Sequence, residues 1–401
     1  MQSSGSSRNL TYERTLKMLN FSFQNPTKII FGKGQIAALA KEVPADARVL
    51  VTYGGGSIKQ NGVFDQVMSA LDSRRVFEFG GIEPNPTYET LMQAVAVIKT
   101  ENIDFLLAVG GGSVIDGSKF LAAAPFAEGD PWDILAKGQR VRRALPLGTV
   151  LTLPATGSEM NCGAVVTKKA ENAKLFFASP LVYPRFSILD PATTLSLPPR
   201  QVANGIVDAF VHVVEQYLTY PVGGSVQDRF AEGLLLTLME DGPRALAAPG
   251  NIDARANIMW AATLALNGLI GAGVPGDWTT HMLGHEITAL FGVDHARTLA
   301  VILPATLAER REAKRAKLLQ YAARVWGLTT GAEEARIDFA IAATRRFFES
   351  LGMPTRLADH GITAAAIPDL LAALERHGMT ALGEQRDVTP EISRRILERA
   401  L

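Results

Sequence analysis

The first part of the chain alternates short apolar runs with segments in which apolar residues recur at helical spacing. The clearest short runs are residues 47–54, 74–80 and 103–110. Between them, NGVFDQVMSALDS and TYETLMQAVAVIKTEN carry apolar residues every three or four positions, which is typical of amphipathic helices. Strands that alternate with helices run parallel and are joined by right-handed crossovers. The pattern predicts a doubly wound α/β domain over residues 18–198.

The pattern changes after Leu197, Pro198 and Pro199. Residues 199–401 contain long helical patterns, such as QVANGIVDAFVHVVEQYL, and few segments typical of strands. We therefore expect an all-helical second domain, which agrees with a chain of 401 residues being too long for one hydrophobic core. Residues 1–17 are serine-rich and polar, and we expect them to form a flexible N-terminal extension.

Charge and composition narrow the class of protein. Lys plus Arg and Asp plus Glu both number 40, so the chain lacks the excess basic charge that binding nucleic acid requires. The single cysteine, Cys162, excludes an intramolecular disulfide and favours a reducing compartment. The apolar run at residues 258–274 is shorter than a typical membrane span and is interrupted by Asn267 and glycines. We expect a cytoplasmic protein that binds neither membranes nor nucleic acid.

Three glycine-containing turns follow apolar runs, at residues 54–57, 110–113 and 156–158. Glycine allows a backbone to approach a pyrophosphate, and the N–H groups at a helix start point toward it. One such turn by itself more often makes a tight connection, but three in one α/β domain favour a ligand crevice at the sheet edge. None of them matches GxGxxG, so the usual dinucleotide fingerprint is absent. The predicted cofactor contacts in and around these turns are Gly55, Gly56, Ser57, Gly111, Gly112, Ser113, Asp116, Thr152 and Ser158.

Histidines and an aspartate in the second half have the spacing of metal ligands. Asp208 and His212 are four residues apart and share one helix face, as do His281 and His285. His295 follows a glycine turn that would return the chain toward the second pair. One carboxylate and three imidazoles suit a divalent ion such as zinc or iron(II). Polar pairs at this spacing are common on helices, however, so either pair alone is weak support.

A dinucleotide in one domain and a Lewis acid in the other would together support hydride transfer to a carbonyl. A metallohydrolase is a rival interpretation, but it leaves the glycine turns without a role. A lyase would use both cofactor and metal, yet it needs a basic pocket, for which residues 200–215 and 275–297 offer only Arg200 and Arg297. A non-catalytic binding protein is a third alternative. The HExxH motif of metalloproteases is absent, because Ala289 stands where its second histidine belongs.

Several long motifs resemble the iron-containing (group III) alcohol dehydrogenases, in particular the bacterial branch of NADPH-dependent aldehyde reductases and butanol dehydrogenases. The similarity runs from about Met18 to the C-terminus. The motifs are PTKIIFGKG, VTYGGGSIK, FGGIEPNP, LLAVGGGSVIDGSKF, LTLPATGSEMN, LPPRQVANGIVDAFVHVVEQY and THMLGHEITALFGVDHARTLAVILP. The resemblance implies a dehydroquinate-synthase-like fold, with a dinucleotide-binding α/β domain followed by a helical metal-binding domain.

The resemblance also implies roles for individual residues. The family's metal ligands fall on Asp208, His212, His281 and His295. Its further histidine falls on His285, which is expected near the nicotinamide as a catalytic proton relay. Lys174, and Asn85 within FGGIEPNP, complete the expected cofactor contacts, although a solvated lysine is an equal interpretation of Lys174.

The expected activity is reversible reduction of small aldehydes to primary alcohols. The loop after the first predicted strand, residues 54–59, contains no acidic residue and ends in Lys59. Repulsion of a 2′-phosphate is therefore absent, and we expect NADP(H). Zinc is favoured over iron(II) as the metal, and a homodimer is expected.

Overall fold

The computed structural model describes residues 17–401, so the predicted extension at residues 1–17 lies almost wholly outside the described residues. Six strands form one parallel sheet, and two more form an antiparallel hairpin. The strands are β1 (Lys28–Phe31), β2 (Arg48–Thr52), β3 (Arg75–Phe79), β4 (Phe105–Gly111), β5 (Leu147–Leu153), β6 (Gly163–Lys168), β7 (Ala173–Ala178) and β8 (Phe186–Leu189). The hairpin is β6 and β7.

Helices pack around this sheet in the first half of the chain. They are α1 (Leu39–Glu42), α2 (Ser57–Gln60), α3 (Val63–Leu71), α4 (Tyr88–Thr100), α5 (Gly112–Ala123) and α6 (Asp133–Ala136). Strands β2, β4 and β5 are almost fully buried, which is typical of parallel strands covered by helices on both faces.

The sheet order is β1-β8-β5-β4-β2-β3, and all its pairs are parallel. The chain proceeds from β2 outward to β3 and then returns to β4 on the other side of β2. The direction of winding therefore reverses between β2 and β4. Such a switch point opens a crevice at the carboxyl ends of the two strands, where α/β proteins bind ligands.

The second half of the described chain is helical. Its helices are α7 (Pro199–Tyr217), α8 (Ser225–Ala247), α9 (Ile252–Ala265), α10 (Thr279–Phe291), α11 (His295–Glu309), α12 (Arg315–Arg324), α13 (Glu333–Ser350), α14 (Ile367–Arg376) and α15 (Pro390–Arg399). Helix α7 begins with a proline, which suits the first turn because its missing N–H has no intrahelical partner there. From Val202 to Tyr217 every residue of α7 is buried, so this helix is the centre of the bundle. Phe210 packs against Phe347 and Phe348 of α13, with ring centroids 5.3 and 5.4 Å away.

The predicted fold class, a parallel α/β part followed by a helical part, is confirmed. One local expectation differs: residues 110–113 do not form a separate turn, because β4 continues to Gly111 and α5 begins at Gly112. The apolar run at 258–274 forms the end of α9 and a series of turns. Among the described residues, the helices are too short or too polar to cross a membrane.

Candidate active site

The residues predicted to hold a metal lie on three helices of the second half. Asp208 and His212 lie on α7, His281 and His285 lie on α10, and His295 is the first residue of α11. Asp208, His212, His281 and His285 are all at most 6% exposed. The structure therefore brings residues far apart in sequence into one buried cluster.

Asp208 is the centre of this cluster. Its Oδ1 lies 3.7 Å from His212 Nδ1, 4.0 Å from His281 Nε2 and 3.8 Å from His295 Nε2. Asp208, His281 and His295 each present one atom, and these three atoms lie within 4.8 Å of one another. His212 falls outside that tight group of three. Its ring still lies beside the group, with its centroid 4.5 Å from that of His281.

The chemistry of these atoms fits a divalent cation. Asp208 Oδ1, and the His212 Nδ1 and His281 Nε2 atoms that face it, are buried and have no hydrogen-bond partner within residues 17–401. Buried polar atoms without partners are rare, because each loses its hydration without compensation. One carboxylate oxygen and imidazole nitrogens are also donors that zinc and iron(II) accept.

Burial keeps the imidazoles neutral, as ligands must be. It lowers the pKa of His212 to about 4 and that of His281 to about 3, because a charged ring would lose its hydration. Burial also lowers the pKa of His285 and His295 well below the usual value, and the nearby Lys174 ammonium adds to this. Neutral rings keep one lone pair each for a metal or a proton.

His285 lies one helical turn after His281, at the edge of the cluster. Its ring centroid is 4.9 Å from that of His295 and 6.3 Å from that of His281. It does not belong to the group of three side chains that converge on one point. This position suits a neighbour of the metal better than a ligand.

The predicted glycine turns lie together at the carboxyl ends of β2, β4 and β5, three adjacent strands. Gly55 and Gly56 precede α2, and a Cβ added at either would meet nothing within 4 Å. The backbone of these two glycines is therefore open to an approaching group. Gly112 differs, because a Cβ there would overlap Thr156 Oγ1, and Gly111 approaches Leu153 closely. Close packing between α5 and the loop after β5 is therefore reason enough for those two glycines.

Asp116 and Ser158 are joined in a buried network on α5 and the turn after β5. Ser158 Oγ donates to Asp116 Oδ1 at 2.5 Å, and Val165 N donates to Asp116 Oδ2 at 3.0 Å. The centre of the network is Lys119, which sequence reasoning missed. Its Nζ donates to Ser158 Oγ, Asn161 Oδ1 and the Gly163 carbonyl, at 2.7–2.9 Å. A lysine one turn after Asp116 in an otherwise apolar helix was the signal that could have identified it.

Asn85, Ser113 and Lys174 form a second small network at the same edge. Asn85 has a positive φ of 58°, and its N–H donates to Ser113 Oγ at 3.2 Å. Lys174 Nζ donates to Asn85 Oδ1 at 2.9 Å. Lys174 is only 6% exposed, and burial lowers its pKa to about 8. It is therefore a buried lysine between Asp116 and Asp208, not a solvated one.

Thr152 and Ser57 are two further predicted cofactor contacts. Thr152 lies near the carboxyl end of β5 and is half-buried. Ser57 is the first residue of α2, and Lys59 lies in the same short helix. Lys59 Nζ forms an ion pair with Glu78 Oε2 of β3 at 2.6 Å. The sequence around residues 54–59 had not indicated an acidic neighbour for this lysine.

A parallel sheet with glycine turns at its switch point, beside a cluster of histidines and one aspartate, is an arrangement suited to a dinucleotide- and metal-dependent oxidoreductase. Two family models match this chain. The model described as iron-containing alcohol dehydrogenase matches residues 26–191, and its C-terminal counterpart matches residues 202–400. The chain belongs to the iron-containing alcohol dehydrogenase family.

Individual relatives agree with this assignment. The chain is 62% identical to the NADPH-dependent aldehyde reductase YqhD of Escherichia coli, over 96% of this chain and all of that protein. It is 43% identical to a probable NADH-dependent butanol dehydrogenase of Bacillus subtilis, over 86% of this chain and 90% of the relative.

Solved structures show the same fold. The crystal structure of E. coli YqhD matches with a TM-score of 0.95 at 61% identity, over 96% of this chain and 100% of that one. An NADH-dependent butanol dehydrogenase from Thermotoga maritima matches with a TM-score of 0.92 at 35% identity, over 96% and 99% of the two chains.

Proposed function

We propose that the protein is an NADP(H)-dependent alcohol dehydrogenase that reduces small aldehydes to primary alcohols, reversibly and with one divalent metal ion. The observation that carries the proposal is the convergence of Asp208, His281 and His295 beside the carboxyl edge of the parallel sheet. The activity follows the relatives, which are named an NADPH-dependent aldehyde reductase and butanol dehydrogenases. A broad range of short-chain substrates is part of the proposal.

The metal ligands in this proposal are Asp208, His212, His281 and His295. They would hold an ion that supplies Lewis acidity toward the carbonyl oxygen of the substrate, and a reduced dinucleotide would supply the hydride. One carboxylate with three neutral imidazoles leaves the occupied site with net positive charge. Such a site would favour negative charge on the substrate oxygen.

His285 is assigned the transfer of the proton that the substrate oxygen receives when the aldehyde becomes an alcohol. Its burial lowers its pKa well below the usual value, so the ring is neutral at physiological pH. A neutral imidazole carries a proton on one nitrogen and a lone pair on the other. The ring can therefore donate a proton to the substrate oxygen from one nitrogen and accept a proton at the other nitrogen.

The dinucleotide is proposed to lie across the switch point between β2 and β4. Its expected contacts are the backbone and hydroxyl groups of the glycine turns together with the two polar networks. They are Gly55, Gly56, Ser57, Asn85, Gly111, Gly112, Ser113, Asp116, Thr152, Ser158 and Lys174. NADP(H) is preferred because Lys59 can approach a 2′-phosphate beside Gly56 and Ser57. Glu78 partly neutralises Lys59, which moderates this preference.

The metal is proposed to be zinc, with iron(II) as the alternative. The ligand set accepts either ion, and hydride transfer requires no change in the oxidation state of the metal. A reducing, cytoplasmic location is proposed from the single cysteine, Cys162, which is free.

A homodimer is proposed from the surface around β1. This strand lies at the edge of the sheet, where unpaired backbone groups can pair with another chain. Phe31 of β1 is 43% exposed, and Leu19, Phe21 and Phe23, which precede β1 and lie by the turns at Gly268 and Gly273, are 44–55% exposed, which is unusual for large apolar side chains. Light scattering should give twice the chain mass of 43.1 kDa. A monomeric wild-type protein contradicts this part of the proposal, and Phe21→Asp should shift a dimer toward monomer.

The activity is tested by loading the protein with zinc or with iron(II), adding NADPH and butanal, and following the absorbance of the reduced nicotinamide. We expect oxidation of NADPH with at least one metal. His281→Ala should lose both bound metal and activity, whereas His377→Ala should retain both, since His377 lies outside the cluster and pairs with Glu286. Absence of oxidation with either metal and a range of aldehydes would refute the reductase assignment.

A further inference from the structure

Glu215 lies on α7 one turn after His212 and is 2% exposed. It is not among the expected metal ligands. Its carboxylate faces the first turn of α10, where Thr280 N donates to Oε1 at 2.6 Å and His281 N donates to Oε2 at 3.3 Å. The same Oε2 contacts Nδ1 of the His281 ring. One buried carboxylate thus binds the backbone and the side chain of a single predicted ligand.

These contacts fix which nitrogen of the His281 ring faces the carboxylate. Burial raises the pKa of Glu215, whereas the N–H groups of Thr280 and His281 favour its ionised form. A ring that binds a metal through Nε2 carries its proton on Nδ1, the nitrogen that contacts Glu215. The remaining nitrogen, Nε2, then holds the lone pair. His281 Nε2 has no hydrogen-bond partner within residues 17–401, and it lies 4.0 Å from Asp208 Oδ1. The lone pair therefore points into the cluster.

We propose that Glu215 is a positioning residue that holds His281 with Nδ1 protonated and Nε2 directed at the metal. The inference rests on the proposed function, because it assigns Glu215 a role at the same metal site. A carboxylate behind a metal-bound histidine orients the ring and increases its basicity, and its loss typically weakens metal binding ~10- to 100-fold.

A buried lysine supports the turn on which this arrangement depends. Lys314 Nζ is 2.9 Å from Asp277 Oδ2 and 2.9 Å from Glu384 Oε1, and it donates to the Leu218 carbonyl at 2.6 Å. Asp277 in turn donates its N–H to the Glu215 carbonyl at 2.9 Å. Lys314 thus links Leu218, at the C-terminal end of α7, to Asp277, two residues before α10 begins.

The turn at residues 277–278, before α10, has an uncommon backbone conformation. Trp278, directly before α10, has a φ of +61°, which is unfavourable for a bulky residue. Thr279 N and Oγ1 donate to Asp277 Oδ1, which helps to hold this conformation. As a result, the N–H groups of Thr280 and His281 point at Glu215. The network therefore prepares the position of His281 before any metal binds.

Helix α10 provides a matched control for Glu215. Glu286 Oε1 lies 2.7 Å from His377 Nδ1, so it also pairs with a histidine. Glu286 is 2% exposed, as Glu215 is. His377 is not in the converging group of predicted ligands. Replacing Glu286 with Gln therefore disturbs a comparable buried carboxylate–imidazole pair without touching His281.

The test is a titration of the metal-free, full-length protein with zinc in competition with a chromophoric chelator. We expect one site in the wild-type protein, an affinity ~10- to 100-fold lower in Glu215→Gln, and less than a twofold change in Glu286→Gln. Wild-type affinity in folded Glu215→Gln overturns the inference but leaves the proposed function standing. Absence of zinc and iron(II) binding by the wild-type protein refutes the metal site and this inference together.

A second measurement is independent of metal. Nitrogen-15 spectra of the histidine rings in the metal-free protein should show His281 protonated at Nδ1, with the signal identified by its loss in His281→Ala. A proton on Nε2 instead overturns the inference. This experiment uses the wild-type protein, so it remains decisive if Glu215→Gln fails to fold.

Discussion

The Lys119 ammonium lies 2.8 Å from the Ser158 hydroxyl, and both groups are buried between α5 and the turn after β5. Ser158 in turn donates to Asp116, so one lysine holds two of the predicted cofactor contacts in place. Its other acceptors, Asn161 and Gly163, extend the support to the beginning of the β6–β7 hairpin. Lys119 is therefore the link between α5 and the loop after β5, which both carry predicted cofactor contacts.

Lys119→Met should weaken NADPH binding about tenfold, because hydrogen bonds to a buried charged group contribute on the order of 1.5–3 kcal/mol each and the acceptors would be left unsatisfied. Titration of NADPH fluorescence measures this. Lys137→Met is the control, since Lys137 is a surface lysine whose side chain is 73% exposed. Wild-type NADPH affinity in a folded Lys119→Met protein would show that the network is not needed by the cofactor.

The same lysine should make stability depend on pH. Burial lowers the pKa of Lys119 from 10.5 to about 8, so between these values the unfolded chain binds more protons than the folded protein. Stability must therefore rise with pH in that interval. The cost of burying the charge is fully present below pH 8 and disappears toward pH 10.5. In urea unfolding, the free energy of unfolding of the wild type should increase relative to that of Lys119→Met as the pH rises from 8 to 10.5. A difference between the two proteins that does not change with pH contradicts the prediction.

Cofactor preference should depend on the Lys59–Glu78 ion pair. Glu78→Gln frees Lys59 and removes a negative charge near the predicted 2′-phosphate position, so the ratio of kcat/KM for NADPH over NADH should rise about threefold to tenfold. Lys59→Met should lower that ratio. Glu42→Gln breaks an exposed pair with Lys28 and should leave the ratio unchanged. Equal ratios in all four proteins would exclude Lys59 from 2′-phosphate recognition.

His285→Gln should separate proton transfer from metal binding. The variant should keep the bound metal of the wild type and lose on the order of 10²- to 10⁴-fold in kcat, the range for a general acid. Metal analysis of the purified variant and steady-state kinetics with an aldehyde make the comparison. Loss of the metal together with activity would instead make His285 a ligand.

Glycine at position 205 should be required for the contact between α7 and the sheet. A Cβ there would overlap the carbonyl oxygen of Pro154, a backbone atom that cannot turn aside. Gly205→Ala should therefore destabilise the protein by ~1–3 kcal/mol, as overpacking does. Gly242→Ala on α8 is the comparison, because its Cβ would meet side-chain atoms of Ile206 at 3.2 Å or more and helix propensity favours alanine. Denaturant unfolding should rank Gly242→Ala as the more stable variant; equal effects would contradict this account.

Sequence patterns were sufficient for the elements that depend on local periodicity. Apolar runs predicted β2, β3 and β4, and helical spacing predicted α3, α4 and α7. Spacing also placed Asp208 with His212 and His281 with His285 on common helix faces, because these pairs are one turn apart whatever the rest of the chain does. Residue type then limited the chemistry to donors for a divalent cation.

Relationships between distant parts of the chain depended on the tertiary structure. Glu215 is 66 residues from His281, and Glu78 is 19 residues from Lys59, so neither contact has a periodic signature. The sequence left a solvated Lys174 as an equal interpretation and gave no partners for Lys119, and only the packing of β7 and α5 shows that both are buried. The sequence alone determined the strands, the helices and the donor chemistry, because these follow from local spacing and residue type. The tertiary structure decided which donors converge, which charges are buried and which partners hold them, because burial and ion pairing arise only when separate elements pack.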